Sequence, residues 1–376
     1  MSVGWKTMKL DDACFVDYGT RVVRKRDGGT IYPVYGGGGA TFRMDTYNRE
    51  DCLVVARFAM SQTCTRFVQG KFFLNDSGLT LRAKDKDLSQ VFLDWIITSK
   101  NDLIYSFGKG SAQKNLDMED FRNMEISFPI SLPEQKRIVD ILDQEFAKID
   151  ALKANAEKSL QAAKNLFSSA LSSELRHRAG WKETKIGDFC EIIRGKRFVR
   201  ADMVEQGVPC IHYGDIYTHY GLYATKAKGC VSPDLAKKLR FAHKNDVIVV
   251  AAGENRLDIG VGVAWLGDEP AVVHDACFIL KHSQNPMFLS FYFRSAEYHQ
   301  YLKDEVNEGK ICSFLTKPLA EARISLPSLV EQEQIVKRLI IVSNNCTTLQ
   351  QNYQKTLALC DDLKQAILRK AFNGEL

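Results

Sequence analysis

Two short stretches concentrate cationic side chains beside residues able to stack on a ligand or let backbone approach it. The first is "GTRVVRKR" (residues 19–26), with Arg21, Arg24, Lys25 and Arg26; the second is "GKRFVR" (residues 195–200), with Lys196, Arg197 and Arg200. Guanidinium groups grip phosphate and can address a guanine edge through two parallel hydrogen bonds. A proline follows each cluster and opens a loop, "PVYGGGGATF" (33–42) or "PCIHYGDIYTHYG" (209–221). The candidate contacts are Tyr35, Gly37 and Gly38 in the first loop, and His212, Tyr213, Tyr217 and Tyr220 in the second. Glycine permits close backbone approach, while Tyr and His offer ring faces and polar edges. Taken singly, each cluster reads as a solvated surface loop, and the loop differences read as drift. Recurrence of the arrangement at matching places points instead to nucleic-acid binding, one scaffold presenting two unlike readers.

No catalytic signature accompanies these residues, and no metal-ligand set is expected. Glycines 36–39 are followed by Ala40 and Thr41, where a phosphate-binding loop needs Lys-Ser. The "GVG" at 260–262 lacks a third glycine. Asn285-Pro286-Met287-Phe288 lacks the second proline that an amino-methyltransferase motif requires. Glu183 and Lys185 are spaced as in some nucleases, but no suitable acidic partner precedes them and the copy at 7–9 has no glutamate. A strand edge is the expected role. The ten cysteines form no C-x-x-C pair and the seven histidines supply no zinc spacing, so reduced thiols are expected. With 45% hydrophobic and 26% charged residues, no apolar run long enough to span a bilayer and no apolar core in "MSVGWKTMKL", the composition is that of a cytoplasmic globular protein. The net charge of +5 is mild, so nucleic-acid binding rests on local clusters and not on overall charge.

The clusters occupy equivalent places because the chain is an internal duplication. "GWKTMKLDDAC" (4–14) recurs as "GWKETKIGDFC" (180–190), a shift of 176 that also carries Gly19 to Gly195, Arg21 to Arg197, Arg24 to Arg200 and Pro33 to Pro209. "DCLVVA" (51–56) meets "DVIVVA" (246–251), Asp76 meets Asp275, and "LPEQKRIVDIL" (132–142) meets "LVEQEQIVKRL" (329–339). Anchors in one order over the whole length mark a repeated unit. Within each unit, β-branched and aromatic runs punctuated by Gly, Asp and Asn predict strands of an α+β domain. A long helix of three- and four-residue apolar spacing follows.

In the first helix the spacing sets Ile138, Leu142, Phe146, Ile149, Leu152, Ala156, Leu160, Ala163, Phe167 and Ala170 on a seam. In the second it sets Ile335, Leu339, Val342, Cys346, Leu349, Tyr353, Leu357, Cys360, Leu363, Ile367 and Ala371 there. Ser131-x-x-Glu134 and Ser328-x-x-Glu331 are capping-box signatures. The simplest cover for each stripe is the other helix, which predicts an antiparallel coiled coil and a pseudo-two-fold molecule. A 45-residue helix would span roughly 65 Å, about two turns of B-DNA, as an upper limit on domain separation. Leu376 lies four positions further from Glu331 than Leu175 does from Glu134, an expected extra helical turn. The expected boundaries are 1–130 and 179–327 for the globular domains, and 131–178 and 328–376 for the helices.

Two variable globular domains, each followed by a helix opening L-P-x-x-EQ-x-x-I-V, resemble the specificity subunit of Type I restriction-modification systems. The resemblance covers essentially the whole chain. It is most specific in "ISFPISLPEQKRIVDIL", "ISLPSLVEQEQIVKRL", the paired domain starts, "GKGSAQKNLDMEDF" (108–121) and "GVPCIHYGDIYTHYG" (207–221), with Val330 departing from the pattern held by Pro133. It implies two target-recognition domains, each reading one part of a bipartite double-stranded DNA site, and helices that set the gap and dock two modification subunits. It also implies that S-adenosylmethionine, ATP and Mg belong to methyltransferase and motor-nuclease partners, with no cofactor on this chain. The competing readings are a self-sufficient DNA-modifying enzyme and a coiled-coil scaffold that binds proteins only.

Overall fold

The same two-stranded ribbon closes each repeat in the computed structural model, which describes residues 4–111, 113–307 and 311–376. Residues 1–3 of the N-terminal stretch and Ala112 of "GKGSAQKNLDMEDF" lie outside the described residues. Strand Trp5–Lys9 pairs antiparallel with Glu125–Pro129, and Lys182–Lys185 pairs antiparallel with Arg323–Leu326. The registers coincide: Lys6 faces Phe128 as Lys182 faces Leu326, and Met8 faces Ile126 as Thr184 faces Ile324. Glu183 and Lys185 thus sit on a strand of this ribbon. The chain divides into two units, residues 1–157 with 355–376 and residues 158–354.

The first unit is built on a six-stranded sheet in the order Cys14–Tyr18, Gly78–Ala83, Arg49–Ala56, Thr65–Leu74, Tyr32–Gly36, Gly39–Met44. Its core joins Leu53, Val55 and Leu79 of the sheet to Phe92, Ile96 and Ile97 of the helix Gln90–Ser99. Ile138, Val139 and Leu142 enter from the start of the first long helix, and Leu368 and Ala371 from the end of the second. The two helix segments run antiparallel here, with Lys153 on Asp361 at 2.7 Å and Lys364 on Asp150 at 2.5 Å.

In the second unit two five-stranded sheets replace the single one. One has the order Glu191–Arg194, Cys277–Lys281, Val247–Val250, Gly262–Trp265, Tyr223–Ala224; the other has Met203–Val204, Gly229–Val231, Val208–Ile211, Ala271–Val273, Phe241–Ala242. The ten-residue strand Thr65–Leu74 of the first unit corresponds to two strands here, Gly262–Trp265 and Ala271–Val273. The intervening Gly267 and Pro270 account for the break, because proline has no N–H for a ladder. Leu171 and Leu175 from the first long helix and Ile335, Val336 and Leu339 from the second complete this core. Arg338 makes a two-pronged ion pair with Glu174, at 2.7 and 2.8 Å.

Both long helices, Leu132–Leu175 and Leu329–Phe372, have 44 residues. The four extra C-terminal positions therefore do not add a helical turn. Gly374, at φ +76°, takes the left-handed conformation that ends a helix, and the Glu375 N–H donates to the Lys370 carbonyl in the capping pattern. Each capping box is half made. Ser131 and Ser328 accept the N–H of Glu134 and Glu331, while those glutamates turn to Arg137 and to the Trp181 indole.

The seam also needs correction: Leu152, Leu349 and Leu363 are 55%, 38% and 48% exposed. Leu171, Leu175 and Leu368, off the predicted stripe, are buried. Spacing identifies the apolar side of a helix but not whether domain or partner helix covers each position.

The paired EQ motifs have a structural role. Gln135 and Gln332 are wholly buried, and each makes three hydrogen bonds at the junction of domain and helix. Gln135 accepts the Ser89 N–H and donates to the Asp87 and Pro129 carbonyls. Gln332 accepts the Asn285 N–H and donates to the Gln284 side chain and the Pro327 carbonyl. Ser89 and Asn285 are themselves the caps of the next domain helices, Gln90–Ser99 and Pro286–Tyr292. Buried amides are retained only where their polar atoms are satisfied, and here they are.

Candidate nucleic-acid interface

One turn in each unit gathers the segments that carry the candidate residues. In the first unit the turn after Thr65–Leu74 takes the Gly19 N–H on the Gly78 carbonyl (3.0 Å) and the Thr20 N–H on the Leu74 carbonyl (2.9 Å). Asn75 donates its N–H to the Tyr35 carbonyl (2.9 Å), and Arg57 donates its N–H to the Ser77 carbonyl (2.8 Å). The second unit repeats this bond for bond. Gly195 bonds to Cys277 (2.9 Å), Lys196 to Val273 (3.1 Å), His274 to Ile211 (3.1 Å) and Ala251 to Ala276 (2.7 Å). A Cβ on Gly19 would lie 1.9 Å from the Asn75 carbonyl oxygen, and one on Gly195 2.1 Å from that of His274. The glycine before each basic cluster is thus required by close backbone packing. The turn holds basic loop, proline loop and a third loop together.

In the first unit Arg21, Arg24, Lys25 and Arg26 are all exposed, three of them on the single-turn helix Arg24–Asp27. Arg26 is engaged by Asp27 through two bonds of 2.8 and 3.0 Å, and this pairing with the Val23 N–H holds the Asp27 carboxyl below its usual range. Arg24 lines an open groove with Gly29, Thr30, Thr41 and Arg43. Tyr35 turns inward, edge-on to Phe72 at 5.4 Å. Gly37 is buried, donates to the Ser77 hydroxyl and packs against the Phe58 carbonyl, so its close approach is to its own chain. Gly38 is exposed with open space around it.

The second unit brings more of its candidates together. Arg197, Arg200, His212 and Tyr213 line one cleft with Phe198 and His274. Lys196 is exposed on the same loop. His212 caps the helix Tyr213–Thr218 by accepting the Gly214 N–H at Nδ1. Its ring lies 4.4 Å from Tyr213 and 4.6 Å from His274. Burial lowers the affinity of both imidazoles for a second proton. Tyr217 neighbours Tyr213 at 6.4 Å. Tyr220 faces inward: its hydroxyl accepts the Lys228 N–H, and burial pushes its pKa up to about 12. Fixed cations, imidazole donors and ring faces on one concave surface can grip phosphate and contact base edges.

The Type I restriction modification DNA specificity domain family matches residues 2–162 and again 178–358. The chain belongs to this family. It is 25% identical over 298 residues to the Type I restriction enzyme MjaVIII specificity subunit of Methanocaldococcus jannaschii, covering 74% of this chain and 69% of that one. It is 25% identical over 276 residues to the EcoBI specificity subunit of Escherichia coli, covering 65% of this chain but 57% of that subunit. The match thus spans 57% to 69% of the length of these relatives. A chain from a solved type I R-M system, described for its complex assembly and conformational transition, shares the fold at a TM-score of 0.77 and 20% identity, over 99% of this chain and 98% of its own. The HsdS subunit of Thermoanaerobacter tengcongensis aligns at 0.55 and 19% identity, over 99% and 97%.

Within each specificity domain some surface groups escaped sequence reasoning. Arg57 lies over the rings of Tyr18 (4.8 Å) and Phe58 (4.6 Å), on the third loop held by the turn. His274 lines the cleft of the second domain; it adjoins Asp275, already matched to Asp76, and so corresponds to Asn75. That offset was the available signal for His274. Arg57 had none, since a lone Arg after a strand is ordinary. Among the described residues no cluster of His, Cys, Asp or Glu is placed to hold a metal ion, and no helix is long and apolar enough to cross a membrane. All ten cysteines are free thiols.

Proposed function

We propose that the chain is the DNA sequence-specificity subunit of a Type I restriction-modification assembly, with each globular domain reading one part of an asymmetric, bipartite duplex site. The observation that carries this reading is the repeated turn, bonded alike in both domains yet holding loops of unlike chemistry. A conserved frame with divergent loops is what two readers of different sequences require. Arg21, Arg24, Lys25, Lys196, Arg197 and Arg200 supply phosphate and base-edge contacts, and His212, Tyr213 and Tyr217 supply polar edges and ring faces. Tyr35, Gly37 and Tyr220, turned inward, support the loops.

The long helices set the gap and dock two modification subunits. Leu152 and Leu166 on the first and Ile341, Leu349, Leu359 and Leu363 on the second are exposed apolar side chains suited to that contact. The chain itself is non-catalytic in this reading. Adenine flipping and methylation from S-adenosylmethionine belong to the modification subunits, and ATP- and Mg-dependent translocation and cleavage to a motor-nuclease subunit. The experiment is selection from a random duplex library by the chain with its modification subunit, at two salt concentrations. Two short motifs at constant spacing are expected, and exchanging residues 1–130 should alter only one. Binding uniform over sequence that collapses with salt as phosphate-only contact does would refute it.

A further inference from the structure

His274 and Asn75 occupy the same position of the repeated turn, and both meet the same local demand. Asn75 Oδ1 accepts the Ser77 N–H at 2.9 Å, and His274 Nδ1 accepts the Ala276 N–H at 3.0 Å. The turn thus needs an acceptor two residues before a free N–H, which asparagine meets fully. The imidazole does more than this. With Nδ1 accepting the Ala276 N–H, the neutral ring carries its proton on Nε2; the Asp275 carboxylate, 3.1 Å from Nδ1, pulls toward a second proton there. The ring meets the Phe198 ring of the basic loop nearly perpendicularly at 5.2 Å. Its other neighbours are His212 at 4.6 Å and Tyr213 at 5.3 Å, at the start of the aromatic loop. One side chain therefore joins the two loops of the second reader. His212, whose Nδ1 also accepts a backbone N–H, keeps its own proton on Nε2, facing no partner among the described residues. That proton is left for water or for an acceptor that a ligand brings into the cleft.

We propose that His274 is a positioning residue of the second reader: it locks the basic loop against His212, so that His212 Nε2–H donates to a hydrogen-bond acceptor of bound DNA. The acceptor class covers guanine or adenine N7, guanine O6, thymine O4 and phosphate oxygen. This rests on the DNA-reading function proposed above. Burial disfavours a second proton on both rings, with the Asp275 carboxylate opposing it at His274.

The test uses the full chain with its modification subunit and the same duplex library. His274→Asn keeps the turn bond and removes only the ring. It is expected to melt with the parent, to leave the first motif unchanged, and to lose about tenfold discrimination at one base position of the second motif. His212→Gln, which leaves the turn intact, should flatten the same position, and the double variant should do no more than either. If both variants instead weaken binding evenly over all sequences and reduce the salt slope by about one, the acceptor is phosphate and the positioning role stands. Should His274→Asn unfold, His212→Gln together with His274→Gln carries the comparison. A second motif selected unchanged by either folded variant overturns the proposal. A parent that selects no second motif overturns the DNA-reading function itself, a different result from a parent that selects it and variants that still do.

Discussion

Replacing Gln135 by leucine isolates the role of the EQ motif, because the volume is nearly kept while three buried hydrogen bonds are lost. The Ser89 N–H and the Asp87 and Pro129 carbonyls lose their partner around a side chain that is itself fully buried. An orphaned buried group costs about 1–3 kcal/mol, the carbonyls being the more tolerant because each has two lone pairs. The leucine side chain recovers part of this by apolar burial. A net loss of about 3 kcal/mol follows, which for a unit of this size lowers its melting temperature by roughly 6–12 °C. Gln144, exposed on the same helix, is the control, and its replacement by leucine should change stability by less than about 0.5 kcal/mol. Calorimetry of the full chain gives the shift, and amide hydrogen exchange locates it. In the Gln135→Leu chain the Ser89 amide should lose protection while the Asn285 amide keeps it; Gln332→Leu should do the reverse. A melt within a degree of the parent, with Ser89 still protected, would refute the claim that these glutamines pin each helix to its domain.

Gly195→Ala should disrupt the second reader alone, since the added methyl meets the His274 carbonyl at 2.1 Å; library selection should retain the first motif and lose the second, and Gly19→Ala should give the converse. Asp94 makes the first unit pH-sensitive in a defined sense. Burial raises its pKa to about 6 from 3.8, opposed by the Gln90 hydrogen bond, so the folded chain holds the proton more tightly. The resulting advantage is complete below about pH 4 and lost as pH rises through about 6, by at most about 3 kcal/mol. Asp94→Asn should therefore raise the melting temperature at pH 7.5 and leave it nearly unchanged at pH 4, which thermal melts at the two pH values decide.

Much of the architecture is legible locally. The duplicated strings predict the paired ribbons, whose registers coincide to the residue, and the three-four spacing predicts both long helices. Both basic clusters are exposed, and in the second domain Arg197, Arg200, His212 and Tyr213 do share a cleft. Tyr35, Gly37 and Tyr220 show the limit of such reasoning. Residue type announces what a side chain can do, while its direction depends on which strand or loop lies beneath it. Leu152 and Leu363 make the same point on the helices, apolar by pattern and yet exposed.

Element order and type, the duplication and the lack of any familiar catalytic motif are properties of neighbouring residues, so they are written in the chain as it is read. Convergence is not. His274 reaches Phe198 and His212 across 76 and 62 positions, and Gln135 reaches Ser89 across 46, because sheet pairing brings distant backbone into hydrogen-bond range. An EQ dipeptide or an HD dipeptide carries no mark of such a partner. Only once the sheets and helices are assembled does burial decide that the glutamines must be satisfied from within and that one histidine can serve two loops.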